Sequence, residues 1–135
     1  MTAGLIAARE YPSSRRKYTE ERRAILDGGG AVPVERHGGG RWSGYRATES
    51  KAARLEALEA LPWVKQMRAV EKALEQVGTG LPDGMRENLR KALLLNCQCG
   101  RKYPFERLYL PGISRSDFYR RRRKYLQEIE MQIKA

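Results

Sequence analysis

Gly112-Ile113-Ser114-Arg115-Ser116-Asp117-Phe118-Tyr119-Arg120, running on into Arg121-Arg122-Arg123-Lys124, decides how this chain is read. Gly112 supplies a turn at low steric cost. Ile113 is placed to anchor that turn in a core. Ser114 has the chemistry of a helix N-cap, and Asp117, three residues on, stands where a capping box carries its acidic partner. The spacing predicts a basic helix from Ser114 to Ile133. A turn that feeds a capped basic helix is the pattern of the second half of a helix-turn-helix.

Residue phases divide that helix. At about 100° per residue, Phe118, Tyr125, Ile129 and Ile133 share one side. Ser116, Arg120, Arg123 and Gln127 fall nearly opposite, and Tyr119 lies between. Arg122 falls near the apolar side, where it must snorkel or pair. Arg121 is lateral. Five basic residues in a row, Arg120 to Lys124, have no acidic residue among them. A solvated charged helix is the plain reading; contact with DNA or RNA is the one this charge run favours.

Working outward, Tyr103–Leu110 reads as the short first helix of the motif, with Phe105, Leu108 and Leu110 packing on Ile113 and Phe118. Before it, Cys97-Gln98-Cys99-Gly100 offers two thiolates, half the ligand set of a structural zinc site. No metal is expected, and free cysteines fit a reducing compartment. A helix over Met85–Asn96, with Leu89, Ala92, Leu93 and Leu95 as core candidates, completes a three-helix module. Gly78-Thr79-Gly80-Leu81-Pro82-Asp83-Gly84 separates it from the middle region.

In that middle region Leu55, Leu58 and Leu61 give one helix an apolar side, and Pro62 interrupts or restarts it. Trp63, Met67, Val70, Leu74 and Val77 then recur at spacings of four and three. Such a seam serves either an intramolecular core or a homodimer; the length and near-neutrality of the region favour the dimer. Further back, Gly28–Gly44 contains GGG twice with Arg36, His37, Arg41 and Trp42, and reads as a linker. It carries no phosphate-binding glycine motif. A short helix is expected from Ser13 or Ser14 to just before Asp27. Met1–Glu10 gives no signal.

Composition bounds the function. A chain of 135 residues allows one domain or two small ones, and 41% hydrophobic residues suffice for helical cores. The net charge of +11 favours a polyanionic partner. That charge is uneven: Arg86–Lys124 holds twelve Lys/Arg against three acidic residues, while Lys51–Val77 holds five against four. No apolar stretch is long enough for a membrane span or a secretory signal, which points to the cytoplasm. The only histidine sits in the glycine-rich segment, no acidic pair marks a site, and neither cysteine has an adjacent base, so no enzyme is expected.

The expected fold is therefore all-α: a basic N-terminal helix and linker over 1–44, a middle helical packing or oligomerisation region over 45–84, and a helix-turn-helix DNA-binding domain over 85–135. Arg120 and Arg123 are the expected readers of guanine edges, with Arg115, Ser116 and Tyr119 at the rim of the major groove. Arg121, Arg122 and Lys124 are the expected phosphate holders. The expected partner is double-stranded DNA, with no cofactor.

Ile113-Ser114-Arg115-Ser116-Asp117-Phe118-Tyr119-Arg120-Arg121-Arg122 resembles the recognition helix of the RinA/ArpU/LtrA group of phage late transcription regulators. That family's C-terminal region is similar to the helix-turn-helix of sigma factors. Ala47-Thr48-Glu49-Ser50-Lys51-Ala52-Ala53-Arg54-Leu55 is similar to a second stretch of the family, and Val70-Glu71-Lys72-Ala73-Leu74 resembles the helix that precedes its DNA-binding module. The resemblance covers most of the chain, and its C-terminal motif is the specific part. Asp117 stands where the family has Thr, Leu108 where it has a small residue, and Pro111 precedes the turn glycine. The resemblance implies a sequence-specific activator of phage late genes in a bacterial host, with RNA polymerase as a partner. The alternative is a small terminase-like or architectural protein that binds phage DNA during packaging.

Overall fold

A computed structural model describes residues 2–28 and 43–135, with side chains described for 2–28 and 50–135. The expectations placed on Arg36, His37, Arg41, Trp42 and the two GGG runs lie outside the described residues, as do those on the side chains of Thr48 and Glu49. Among the described residues the protein is all-α. Its helices are α1 (Ala3–Leu26), α2 (Ser43–Glu59), α3 (Pro62–Gln76), α4 (Asp83–Gln98) and α5 (Arg115–Lys134), with one 3-10 turn at Phe105–Arg107.

Two units divide the chain. The first comprises Met1–Pro12 and Gln66–Ala135, and the second Ser13–Lys65. Both boundaries fall inside helices, the earlier one at Pro12 of α1. A proline there removes one main-chain hydrogen bond and crowds the carbonyl four residues back. The expected helix start at Ser13 or Ser14 is corrected by this structure: α1 begins ten residues earlier, at Ala3. Burial of its first turns is the reason. Ala7 and Ala8 belong to the core of the first unit, so tertiary packing forms a helix that the local sequence does not announce.

The first unit is built around α5. Phe118, Tyr125 and Ile129 are buried, as their phase predicts, with Val70 and Ala73 of α3, Val77 just after it, Leu89, Ala92 and Leu93 of α4, and Ala7 and Ala8 of α1. Gly4 sets how closely α1 and α5 approach. A Cβ on Gly4 would stand 2.5 Å from the Leu126 carbonyl oxygen and 2.9 Å from Glu130 Cγ. Its amide donates to Glu130 Oε1 at 3.4 Å. On the α3 side, Tyr11 Oη donates to Glu71 Oε2 at 2.9 Å, and Glu71 Oε1 accepts from Arg68 Nη1 at 2.8 Å.

The α3 seam is covered within one chain. Met67, Val70 and Val77 are buried and Leu74 is half-buried. Those four seam positions are taken up by packing within one chain. Pro62 opens α3, in the first-turn position where its missing N–H costs nothing. Arg86 and Arg90 of α4 close the other end: Arg86 Nε donates to the Val77 carbonyl at 2.9 Å and Arg90 Nε to that of Leu74 at 2.8 Å. Both satisfy carbonyls that a helix end leaves unpaired and set positive charge at its negative pole.

In the second unit Leu58, Val64 and Tyr18 are buried. Tyr18 Oη donates to Glu59, and Lys17 Nζ lies 4.6 Å from the centre of the Trp63 ring. Leu61, expected on the apolar side with Leu55 and Leu58, is exposed.

Two substitutions test this packing. Gly4→Val drives a side chain into the α5 backbone and should cost about 2 kcal/mol, seen as a lower denaturation midpoint. Tyr125→Phe should act the other way. The buried Tyr125 hydroxyl has no hydrogen-bond partner among the described residues, so removing it should raise stability by about 1 kcal/mol.

Candidate nucleic-acid interface

The candidate interface is the N-terminal half of α5. Leu110 to Ile113 form a turn closed by the Ile113 amide on the Leu110 carbonyl at 3.2 Å, with Gly112 at φ 87°. Pro111 then Gly112 are the residues that a type II turn asks for at its centre. A side chain at Gly112 would also meet Met85 Cε at 2.7 Å. Ser114 is the N-cap: its Oγ accepts from the Asp117 amide at 3.2 Å. The expected cap is thus present. Asp117 does not reach back to the Ser114 amide; its carboxylate takes Arg120 and, at 3.1 Å, Arg121 Nε.

The span expected as the first helix of the motif, Tyr103–Leu110, is a different object. It contains only the 3-10 turn Phe105–Arg107. Pro104 before it and Pro111 after it bracket a span too short to sustain an α-helix by itself. The packing role survives without the helix. Leu110 and Ile113 are buried in the core cluster, Phe105 and Leu108 pack against it, and the Phe105 and Phe118 rings lie 5.6 Å apart.

The expected readers occupy one exposed stretch. Ser116, Arg120 and Arg123 are exposed on α5, with Arg120 at 70%. Arg115 is exposed at the helix start, paired with Glu106 at 3.0 Å and stacked 5.3 Å from the centre of the Tyr119 ring. Tyr119 is half-buried, edge-on to Phe118. The expected phosphate holders separate. Lys124 is exposed; Arg121 is 27% exposed and tied to Asp117. Both line a groove of about 300 Å³ beside Gln76, Thr79 and Glu128.

Arg122 is the one that leaves the set. Its Nε donates to Asn96 Oδ1 at 2.7 Å. Asn96 is buried, and its Nδ2 donates to the Tyr103 carbonyl at 2.8 Å. Arg122 therefore completes an internal polar site, the pairing that its phase near the apolar side requires. Outside that bond it borders a cavity of about 530 Å³, lined also by Arg9, Arg101 and Lys102. Those three, with Lys91 and Arg107, add charge that the focus on α5 passed over. The alternation of Arg101, Lys102, Tyr103, Arg107 and Tyr109 was the available signal, basic residues interleaved with aromatic ones.

Both cysteines are free. Burial pushes the Cys97 thiol up, against a smaller lowering by Arg122, so it is held as a neutral core thiol. Burial likewise pushes the Tyr125 phenol up. Among the described residues no three His, Cys, Asp or Glu side chains gather to hold a metal ion, and no helix is long and apolar enough to cross a membrane.

Asp117 sets an acid limit. The hydrogen bond from Arg120 is the main cause that lowers its pKa; partial burial opposes it and Arg121 adds to the lowering. A folded-state pKa below the unfolded value gives stability present above the unfolded value, about 3.9, and lost as pH falls through the folded one. Thermal melts should therefore show the stability difference between wild type and Asp117→Asn holding constant from pH 7 to about pH 5 and shrinking below about pH 4.

No family model matches the chain, and neither the curated proteins nor the solved structures hold a similar one.

Proposed function

We propose that the chain is a sequence-specific, non-enzymatic double-stranded DNA-binding protein that reads the major groove with α5. The observation that carries this reading is the single exposed face of Ser116, Arg120 and Arg123 on a capped helix whose other side is locked by Phe118, Tyr125 and Ile129. A reading helix needs just that division: a rigid inner face, an outer face of long donors, and a well-fixed start. In this reading α4, the 3-10 turn and α5 act as a helix-turn-helix whose first motif helix is cut to one turn.

Arg120 and Arg123 are the proposed base readers, with Arg115, Ser116 and Tyr119 at the groove rim. Asp117 aims Arg120 from below, as a carboxylate that fixes a guanidinium fork. Lys124 and Arg121 hold phosphates, whereas Arg122 acts through the Asn96 site. The resemblance to phage late regulators supplies the biological role: activation of late genes beside the bacterial polymerase.

The test compares a selected site with scrambled duplex. Arg120→Ala should lower affinity for the selected site about tenfold or more while scarcely changing the scrambled one. Lys124→Ala should weaken both alike and reduce the salt slope by about one. Equal losses on both duplexes for Arg120→Ala would end its assignment as a reader. Run-off transcription from a late promoter containing the selected site tests the activator role, with increased polymerase output as the expected result.

A further inference from the structure

Tyr109 has a combination of properties that packing does not explain. It is the sole non-glycine residue at positive φ among the described residues, at 52°, and it is 84% exposed. A bulky residue there is strained, and glycine would relieve that strain. A ring so exposed returns little packing energy. Such strain survives where the residue serves a contact.

The surroundings indicate which contact. Tyr109 lines a groove of about 230 Å³ with Lys91, Leu95, Tyr103 and Arg107. Leu95 and Tyr103 are exposed there, apolar surface that a globular chain normally covers. Two cations border the groove and no carboxylate does. The groove also adjoins the reading helix: Arg107 follows Glu106, which pairs with Arg115 at the start of α5. Only Leu110–Ser114, the turn and the cap, separates Tyr109 from α5.

We propose that this groove seats the sugar-phosphate backbone of the DNA strand flanking the α5 contact. Lys91 and Arg107 neutralise successive phosphates; Arg107 Nη1 donates to the Lys102 carbonyl at 3.1 Å, which leaves the rest of its fork for the strand. Tyr109 lays its ring along the sugar face and donates its hydroxyl to a phosphate oxygen, and Leu95 and Tyr103 form the apolar floor. A protein segment is the competing occupant. Cations with no carboxylate beside them, continuous with a basic helix, favour the backbone of nucleic acid.

The proposal rests on the DNA-binding reading and extends its footprint. The experiment uses the full chain and a 30-base-pair duplex containing the selected site, with affinity measured across salt concentrations and melting followed in parallel. Tyr109→Gly should melt at the same or a higher temperature than wild type yet bind about fivefold more weakly. Lys91→Ala with Arg107→Ala should lower the salt slope by about two. Trimming the duplex to the α5 site alone should erase both differences. Wild-type affinity and slope in Tyr109→Gly and in the double variant would overturn the proposal and assign the groove to a protein. If Lys124→Ala weakens binding while those variants do not, the groove assignment alone fails. If wild type has no duplex affinity, or Lys124→Ala also leaves it unchanged, the α5 reading fails with it.

Discussion

The buried amide of Asn96 constrains the part of the first unit that carries α5. A buried side-chain amide must find partners or lose more than a hydrogen bond is worth. Asn96 finds them in two directions, the Tyr103 carbonyl and the Arg122 guanidinium. One bond fixes the chain leaving α4. The other fixes the rotation of α5, because Arg122 meets Asn96 only when Phe118, Tyr125 and Ile129 face the core. With that rotation set, Arg120, Arg123 and Lys124 have no route but outward. The outer face of α5 is thus decided from inside.

Net charge overstates how much of the basic excess is available to a partner. Arg86 and Arg90 are occupied by carbonyls at the end of α3 and Arg122 by Asn96, while Arg115 and Arg121 share their charge with Glu106 and Asp117. Charge alone cannot distinguish a guanidinium that closes a helix end from one that meets a phosphate. Hydrogen-bond geometry can. The arginines turned inward use the planar fork on carbonyl or amide oxygens, a role that a lysine would fill poorly. Exposed Arg123 and Lys124 have no such partner among the described residues.

Much of α5 was legible in the sequence. Its cap is one residue reaching three residues on, and its faces follow from helical periodicity, so both are local facts. The α3 span was legible for the same reason, with Pro62 as punctuation; α4 was legible in its middle, but it begins at Asp83, inside the expected Gly78–Gly84 loop, and runs on past Asn96 to Gln98. Three features were not. The start of α1 depends on Gly4, Ala7 and Ala8 fitting against distant helices, and small residues carry no periodic signal of that kind. The Tyr103–Leu110 span has helix-like apolar spacing, yet the prolines at its ends leave room for a single turn. Its apolar residues still pack, so the pattern reported burial correctly and conformation wrongly. The groove at Tyr109 lay hidden because positive φ at a tyrosine cannot be read from residue type.

The placement of charge along α5 also bears on how that helix holds together. Arg120, Arg123 and Lys124 are neighbours at spacings of three and four, where like charges repel by a few tenths of a kcal/mol per pair. Asp117 relieves the first of these, near the positive end of the helix dipole where a carboxylate is also favoured. Nothing comparable relieves Arg123. The free helix therefore carries residual strain of one sign on its outer face, held down by the core under Phe118, Tyr125 and Ile129. A polyanion laid along that face removes the repulsion, and any ligand that binds only the folded chain stabilises it. Folding of α5 and binding of such a partner are linked, so the charge pattern that weakens the helix in isolation strengthens it in a complex.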